Sequence, residues 1–94
     1  MTKRELQLAV LERDNCLCQD CGKYTTETHH IVSRGRKGAW CMKNMITLCP
    51  MCHRGKNKQA GAHSKTSRAH HLRLLRDKHG YEYSEQPWRG MILE

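Results

Sequence analysis

With 94 residues, 37% of them hydrophobic, no Phe and two Trp, the chain has room for one domain with a thin core, and no apolar run approaches the length of a membrane span. The formal net charge is +8 and its distribution is uneven: residues 34–78 hold twelve Lys and Arg against one Asp or Glu. A field of that sign and density favours a polyanion, and it disfavours a lipid surface because no basic segment has a strongly apolar opposite face.

In chain order, Thr2 and Glu5 have capping-box spacing ahead of Leu6, Ala9, Val10 and Arg13, which predicts a first helix from Lys3 to about Asp14. Cys16 to Gly22 reads as a tight turn in which Gly22 takes a positive φ. Thr25 to Val32, rich in β-branched residues, predicts a strand. Ser33 to Lys43 reads as a basic loop, and Asn44 to Leu48 as a second strand antiparallel to the first. Pro50 suits the first turn of a helix carrying Cys52, His53 and Lys56. Gln59 to Ser64 reads as a linker. Ser64, Thr66 or Ser67 would then cap a last helix, about 65–79, that ends near His79-Gly80 and docks through Leu72 and Leu75. The tail, 81–94, shows no periodicity. The whole reads as a single α+β domain with a core at about 16–60.

A core this thin needs disulfides or a metal. Met1-Thr2-Lys3-Arg4-Glu5 opens no secretory leader, so a reducing cytoplasmic setting is expected, and the six cysteines are read as metal ligands. Two Cys-x-x-Cys pairs, Cys18/Cys21 and Cys49/Cys52, each present two sulfurs at the shortest unstrained chelate spacing, so a structural Zn²⁺ is assigned to the four. Cys16 could replace Cys18, at a poorer spacing to Cys21. Cys41 is expected to stand outside the site. A closed four-thiolate zinc stabilises and leaves no position for substrate.

Any catalysis therefore lies elsewhere. His29 and His30 are adjacent on a predicted strand, so they point to opposite faces, and one can hold a metal while the other meets water. His53 follows Cys52 directly and is fixed by the zinc turn beside it. His63, His70, His71 and His79 are read as surface or helix-face residues.

Thr28-His29-His30-Ile31, followed by Asn44-Met45-Ile46-Thr47-Leu48-Cys49-Pro50-Met51-Cys52-His53, resembles the HNH endonuclease family over about Cys18 to Lys58. The resemblance implies a zinc-braced ββα-metal (His-Me finger) core between N- and C-terminal helices. It also implies a metal-dependent endonuclease that hydrolyses DNA phosphodiester bonds to 5′-phosphate and 3′-hydroxyl ends. In that pattern His30 is the general base for water and His29 and His53 hold a single Mg²⁺, Mn²⁺ or other divalent ion. Asn44 bonds the backbone near the base. His29 stands where many members have Asp or Glu, so a softer ion is expected to serve better than Mg²⁺. One active site makes a nick the default. A small stand-alone member further implies a phage or prophage setting in the host cytosol, with a packaging or DNA-processing assembly as partner. The competing reading is an inactive zinc module that binds DNA or RNA, or an adaptor docking through the Trp88 tail.

Arg34, Arg36 and Lys37 in the loop, Arg54, Lys56 and Lys58 after His53, and Arg68, Arg73 and Arg76 on the last helix are the expected phosphate contacts. Such contacts position a backbone and carry no sequence information. Affinity for duplex DNA is therefore expected to fall steeply as salt rises in a filter-binding titration. An affinity that stays flat from low to physiological salt would remove the electrostatic reading.

Overall fold

The computed structural model describes residues 2–33, 38–54 and 65–81. Its elements are α1 (Lys3–Arg13), β1 (Thr28–His30), β2 (Met45–Thr47), α2 (Pro50–Arg54) and α3 (Lys65–His79), with a 3-10 turn, Met42–Asn44, leading into β2. The expected α+β architecture is present.

Local chemistry sets the helix ends. Thr2 accepts the Glu5 N–H at 3.1 Å while its own N–H donates to the Glu5 carboxylate at 2.9 Å, closing the capping box that starts α1. At the far end Asn15 and Cys16 both take left-handed φ values, 58° and 55°, and turn the chain into the first cysteine pair. Gly80, at φ 73°, terminates α3 where the sequence placed its end.

The two strands pair antiparallel, with Thr28 opposite Thr47, His29 opposite Ile46 and His30 opposite Met45. Both are shorter than expected. Before Thr28, Thr25 N–H bonds the Cys16 carbonyl at 2.8 Å and the Thr25 hydroxyl caps the Glu27 N–H, so residues 25–27 follow the cysteine turn. After His30, the Val32 N–H bonds the Asn44 side chain at 2.8 Å, and a side chain replaces the ladder. Asn44 itself ends the 3-10 turn and precedes the strand.

Directly opposed residues share a face. His29 and Ile46 thus face a cluster of Ile31, Leu48, Cys49 and Cys52 covered by Leu72 and Leu75 of α3. His30 and Met45 face the second cluster, built from Leu6 and Val10 of α1 with Trp40. Each fully buried aliphatic contributes about 1.5–3 kcal/mol relative to exposure. The end of the expected loop belongs to this core: Ala39, Trp40 and Cys41 are buried, and the Lys3 ammonium lies 4.9 Å over the Trp40 ring.

Buried polar contacts hold the sheet's open end. Asn44, fully buried, accepts from Val32 N–H and donates to the Val32 and Ala39 carbonyls, both at 3.0 Å. Gly38 passes so close that a Cβ there would overlap the Val32 carbonyl and come within 2.9 Å of the Asn44 amide nitrogen. Behind β2, Arg13 donates to the Met42 carbonyl at 2.8 Å and the Met45 carbonyl at 2.7 Å, and its partner Asp14 accepts the Thr47 N–H at 3.0 Å.

Asn44→Asp keeps the shape and removes the donor shared by two buried carbonyls. It is expected to cost about 2 kcal/mol or more in urea unfolding of the zinc-loaded chain, whereas a change below about 0.5 kcal/mol would mean that the amide does not hold the loop.

Candidate active site

Cys18, Cys21, Cys49 and Cys52 converge with their sulfurs all within 4.8 Å of one another, and Cys21 and Cys49 approach to 3.5 Å. A tetrahedral zinc with Zn–S near 2.3 Å places its sulfurs about 3.8 Å apart, so the set fits the ion. Three of the four are buried and Cys21 is at the surface. Burial of the Cys18 thiol opposes ionisation, but backbone groups of Cys49, Cys21 and Asp20 together with the Cys21 thiol draw its pKa down to about 7. Donors directed at sulfur are what a zinc thiolate needs. The turn closes through Cys18 N–H to the Lys23 carbonyl at 2.7 Å and Gly22 N–H to the Cys18 carbonyl at 2.8 Å, with Gly22 at φ 80°. It is tied to the sheet by Gln19 N–H to the Thr47 carbonyl at 3.0 Å. Cys16 and Cys41 lie outside the sulfur cluster.

His53 N–H bonds the Cys49 carbonyl at 2.9 Å, so the second cysteine pair fixes the backbone of His53. The His53 ring meets His29 edge to face, with centres 4.7 Å apart at 65°. Two imidazoles sharing one ion at metal–nitrogen distances near 2.1 Å have ring centres roughly 4.6 to 5.3 Å apart for cis-octahedral to tetrahedral angles. The separation of the His29 and His53 rings falls within that range. His30 lies on the other face of β1, packed edge to face on Trp40 at 4.4 Å and partly exposed, while His29 is buried. Asn44 grips the loop that follows β1.

Several residues that matter here were not singled out by the sequence. Glu27 carries a carboxylate 3.2 Å from His53 Nδ1 and 3.4 Å from Arg54. A carboxylate two positions before His29 on an extended segment shares its face, and that spacing was available as a signal. His71, expected as a surface or helix-face residue, lies on the wholly buried face of α3, its Nε2 within 3.0 and 3.1 Å of the two oxygens of Asp20 and its ring 6.1 Å from that of His29. Ser67, His71 and Leu75 make a buried stripe at helical spacing, which overrides the polarity of the first two. Asp20, His70 and His71 bring ligand atoms within 4.8 Å of one another, yet the close contact of His71 with both Asp20 oxygens reads as the clamp that fastens α3 to the cysteine turn. His70 and His79 are exposed, as expected.

Of the expected phosphate contacts, Arg54, Arg73 and Arg76 are exposed and Arg68 is half-buried. Arg54 leans on Glu27 and Arg76 on Asp77 at 3.1 Å. Arg34, Arg36, Lys37, Lys56 and Lys58 lie outside the described residues, as do the expected linker, His63 and the tail from 82 onward. No helix among the described residues is long and apolar enough to cross a membrane.

Residues 14–59 match the family model described as HNH endonuclease. The chain is also similar to the type IV methyl-directed restriction enzyme EcoKMcrA of Escherichia coli strain K12, at 31% identity over 55 aligned residues covering 48% of this chain and 20% of that enzyme. The chain thus spans about a fifth of the relative it matches. No solved structure matches it.

The four-sulfur cluster predicts one tightly held zinc per chain by elemental analysis. Stripping it with a strong chelator is expected to abolish cooperative thermal unfolding in circular dichroism. A chain that melts with the same midpoint before and after zinc removal would contradict the bracing role.

Proposed function

We propose that the HNH endonuclease domain at residues 14–59 is catalytically competent and hydrolyses DNA phosphodiester bonds, one strand at a time. The observation that carries the reading is the approach of His29 and His53 to 4.7 Å between ring centres, with His30 next in the same strand and on its other face. A divalent ion held by His29 and His53 would neutralise charge gathering on the phosphate and stabilise the departing oxygen.

The chain's own groups divide the remaining work. His30 accepts the proton of the attacking water at an imidazole nitrogen, and Trp40 limits the angles its ring can take. Asn44 and Gly38 set the path of the backbone that follows His30, through contacts that leave no room for a side chain at position 38. Arg54, Arg68 and Arg73 supply cationic contacts for the flanking phosphates, joined by the basic residues of 34–37 and 56–58. The methyl-directed restriction activity in the name of EcoKMcrA is not carried over, since the aligned stretch is a fifth of that enzyme.

Nicking of supercoiled plasmid is the direct test, with zinc-loaded wild type beside His30→Ala. The wild type is expected to nick with Mn²⁺, Co²⁺ or Ni²⁺ faster than with Mg²⁺ at equal concentration, because two neutral imidazoles suit borderline ions better than a hard one. His30→Ala should lose about a hundredfold or more in rate while still binding DNA. Binding without cleavage by the wild type would replace the nuclease reading with that of a zinc-held DNA-binding module.

A further inference from the structure

We propose that Glu27 is a positioning residue for the metal centre: its carboxylate holds His53 in the tautomer protonated at Nδ1, which leaves the Nε2 lone pair to face the ion. This inference rests on the reading of His29 and His53 as a metal pair.

Glu27 Oε2 lies 3.2 Å from His53 Nδ1, with both side chains partly buried. An ionised carboxylate only accepts, so a bond at this distance requires the proton on Nδ1. The other tautomer would set the Nδ1 lone pair against a carboxylate oxygen. In the neutral ring the nitrogen that does not meet Glu27 is therefore the unprotonated one, and a neutral imidazole binds a metal through its unprotonated nitrogen.

The contact is held from both sides. The Glu27 carbonyl accepts the Leu48 N–H at 3.2 Å, which locks this residue to the chain just before Cys49. His53 N–H is bonded to Cys49 itself. The second carboxylate oxygen, Oε1, takes Arg54 at 3.4 Å, so Glu27 is restrained against swinging away. The geometry also supplies charge. Two neutral imidazoles bring no charge to a divalent ion, and Glu27 places a carboxylate against His53, behind the face that would meet it. A carboxylate behind a ligating imidazole raises its basicity and fixes its orientation.

The test uses the zinc-loaded 94-residue chain. Histidine ¹⁵N spectra recorded without added divalent ion, at about pH 8 where free imidazole is neutral, report the tautomer of His53. Calorimetric titration with Mn²⁺ reports affinity. The wild type is expected to show His53 protonated at Nδ1. Glu27→Ala should populate the Nε2-protonated form and weaken Mn²⁺ binding about ten- to hundredfold. Glu27→Gln, whose amide oxygen still accepts from Nδ1, should keep the tautomer and most of the affinity. Zinc content and thermal melting of both variants confirm folding.

An Nε2-protonated His53 in the wild type overturns the proposal, as does a Glu27→Ala chain with unchanged tautomer and unchanged Mn²⁺ affinity. Equal loss of Mn²⁺ binding in Glu27→Gln and Glu27→Ala, with the tautomer kept in the former, also overturns it by making Glu27 a direct ligand. If the wild type binds no Mn²⁺, the metal-pair reading fails. A tautomer switch in Glu27→Ala would even then sustain the hold of Glu27 on the ring.

Discussion

Everything near the candidate site depends on four cysteine sulfurs gathered within 4.8 Å of one another. Cys18 and Cys21 come from the turn after α1, and Cys49 and Cys52 flank the start of α2, so the cluster joins segments 27 residues apart. His53 follows the last sulfur and is bonded back to Cys49, and β2 ends two residues before Cys49. The antiparallel register then brings His29 to the same place from the other strand. A chain with no Phe and few aromatics lacks the buried area to enforce this placement by packing alone. A coordinated ion is directional, and it can hold two rings to within a few tenths of an ångström where a small apolar core would let them drift.

A second constraint works from the opposite end of the sheet through buried polar groups. Arg13 and Asp14 join the end of α1 to the turn and strand around Met42, Met45 and Thr47, while Asn44 and Gly38 hold the returning loop to Val32. Arg13, Asp14 and Asn44 each make more than one bond, which is what makes their burial tolerable in so thin a core. His30 stands between this region and the zinc-held region, with its backbone in β1 and its ring on Trp40. The two halves of the site are thus held differently: through the cysteine cluster on the His29 and His53 side, and by hydrogen bonding and ring packing on the His30 side.

Much of this was legible in the sequence because it is encoded locally. Cysteine spacing, the Thr2 and Glu5 cap, the αL glycines at 22 and 80, and the alternation of His29 and His30 across a strand are short-range signals with one physical meaning each. The strand lengths were not legible, since they end where the side chains of Thr25 and Asn44 capture backbone groups, and such competition is decided only in the folded chain. Trp40 and Cys41 were read as part of a loop because their neighbours are Gly and Lys, yet the turn of the chain at Gly38 carries them inward. His71 was missed because its partner, Asp20, lies 51 residues away, and no periodicity reports a contact of that span.

The central claim is that two ions are held at two distinct sites, one by sulfur and one by imidazole. Crystals of the zinc-loaded chain soaked in Mn²⁺, measured at the zinc and manganese absorption edges, test it most directly. A zinc peak is expected among Cys18, Cys21, Cys49 and Cys52 and a manganese peak between His29 and His53. Manganese located at Asp20, His70 and His71, or found nowhere in a chain whose zinc site is filled, would contradict it.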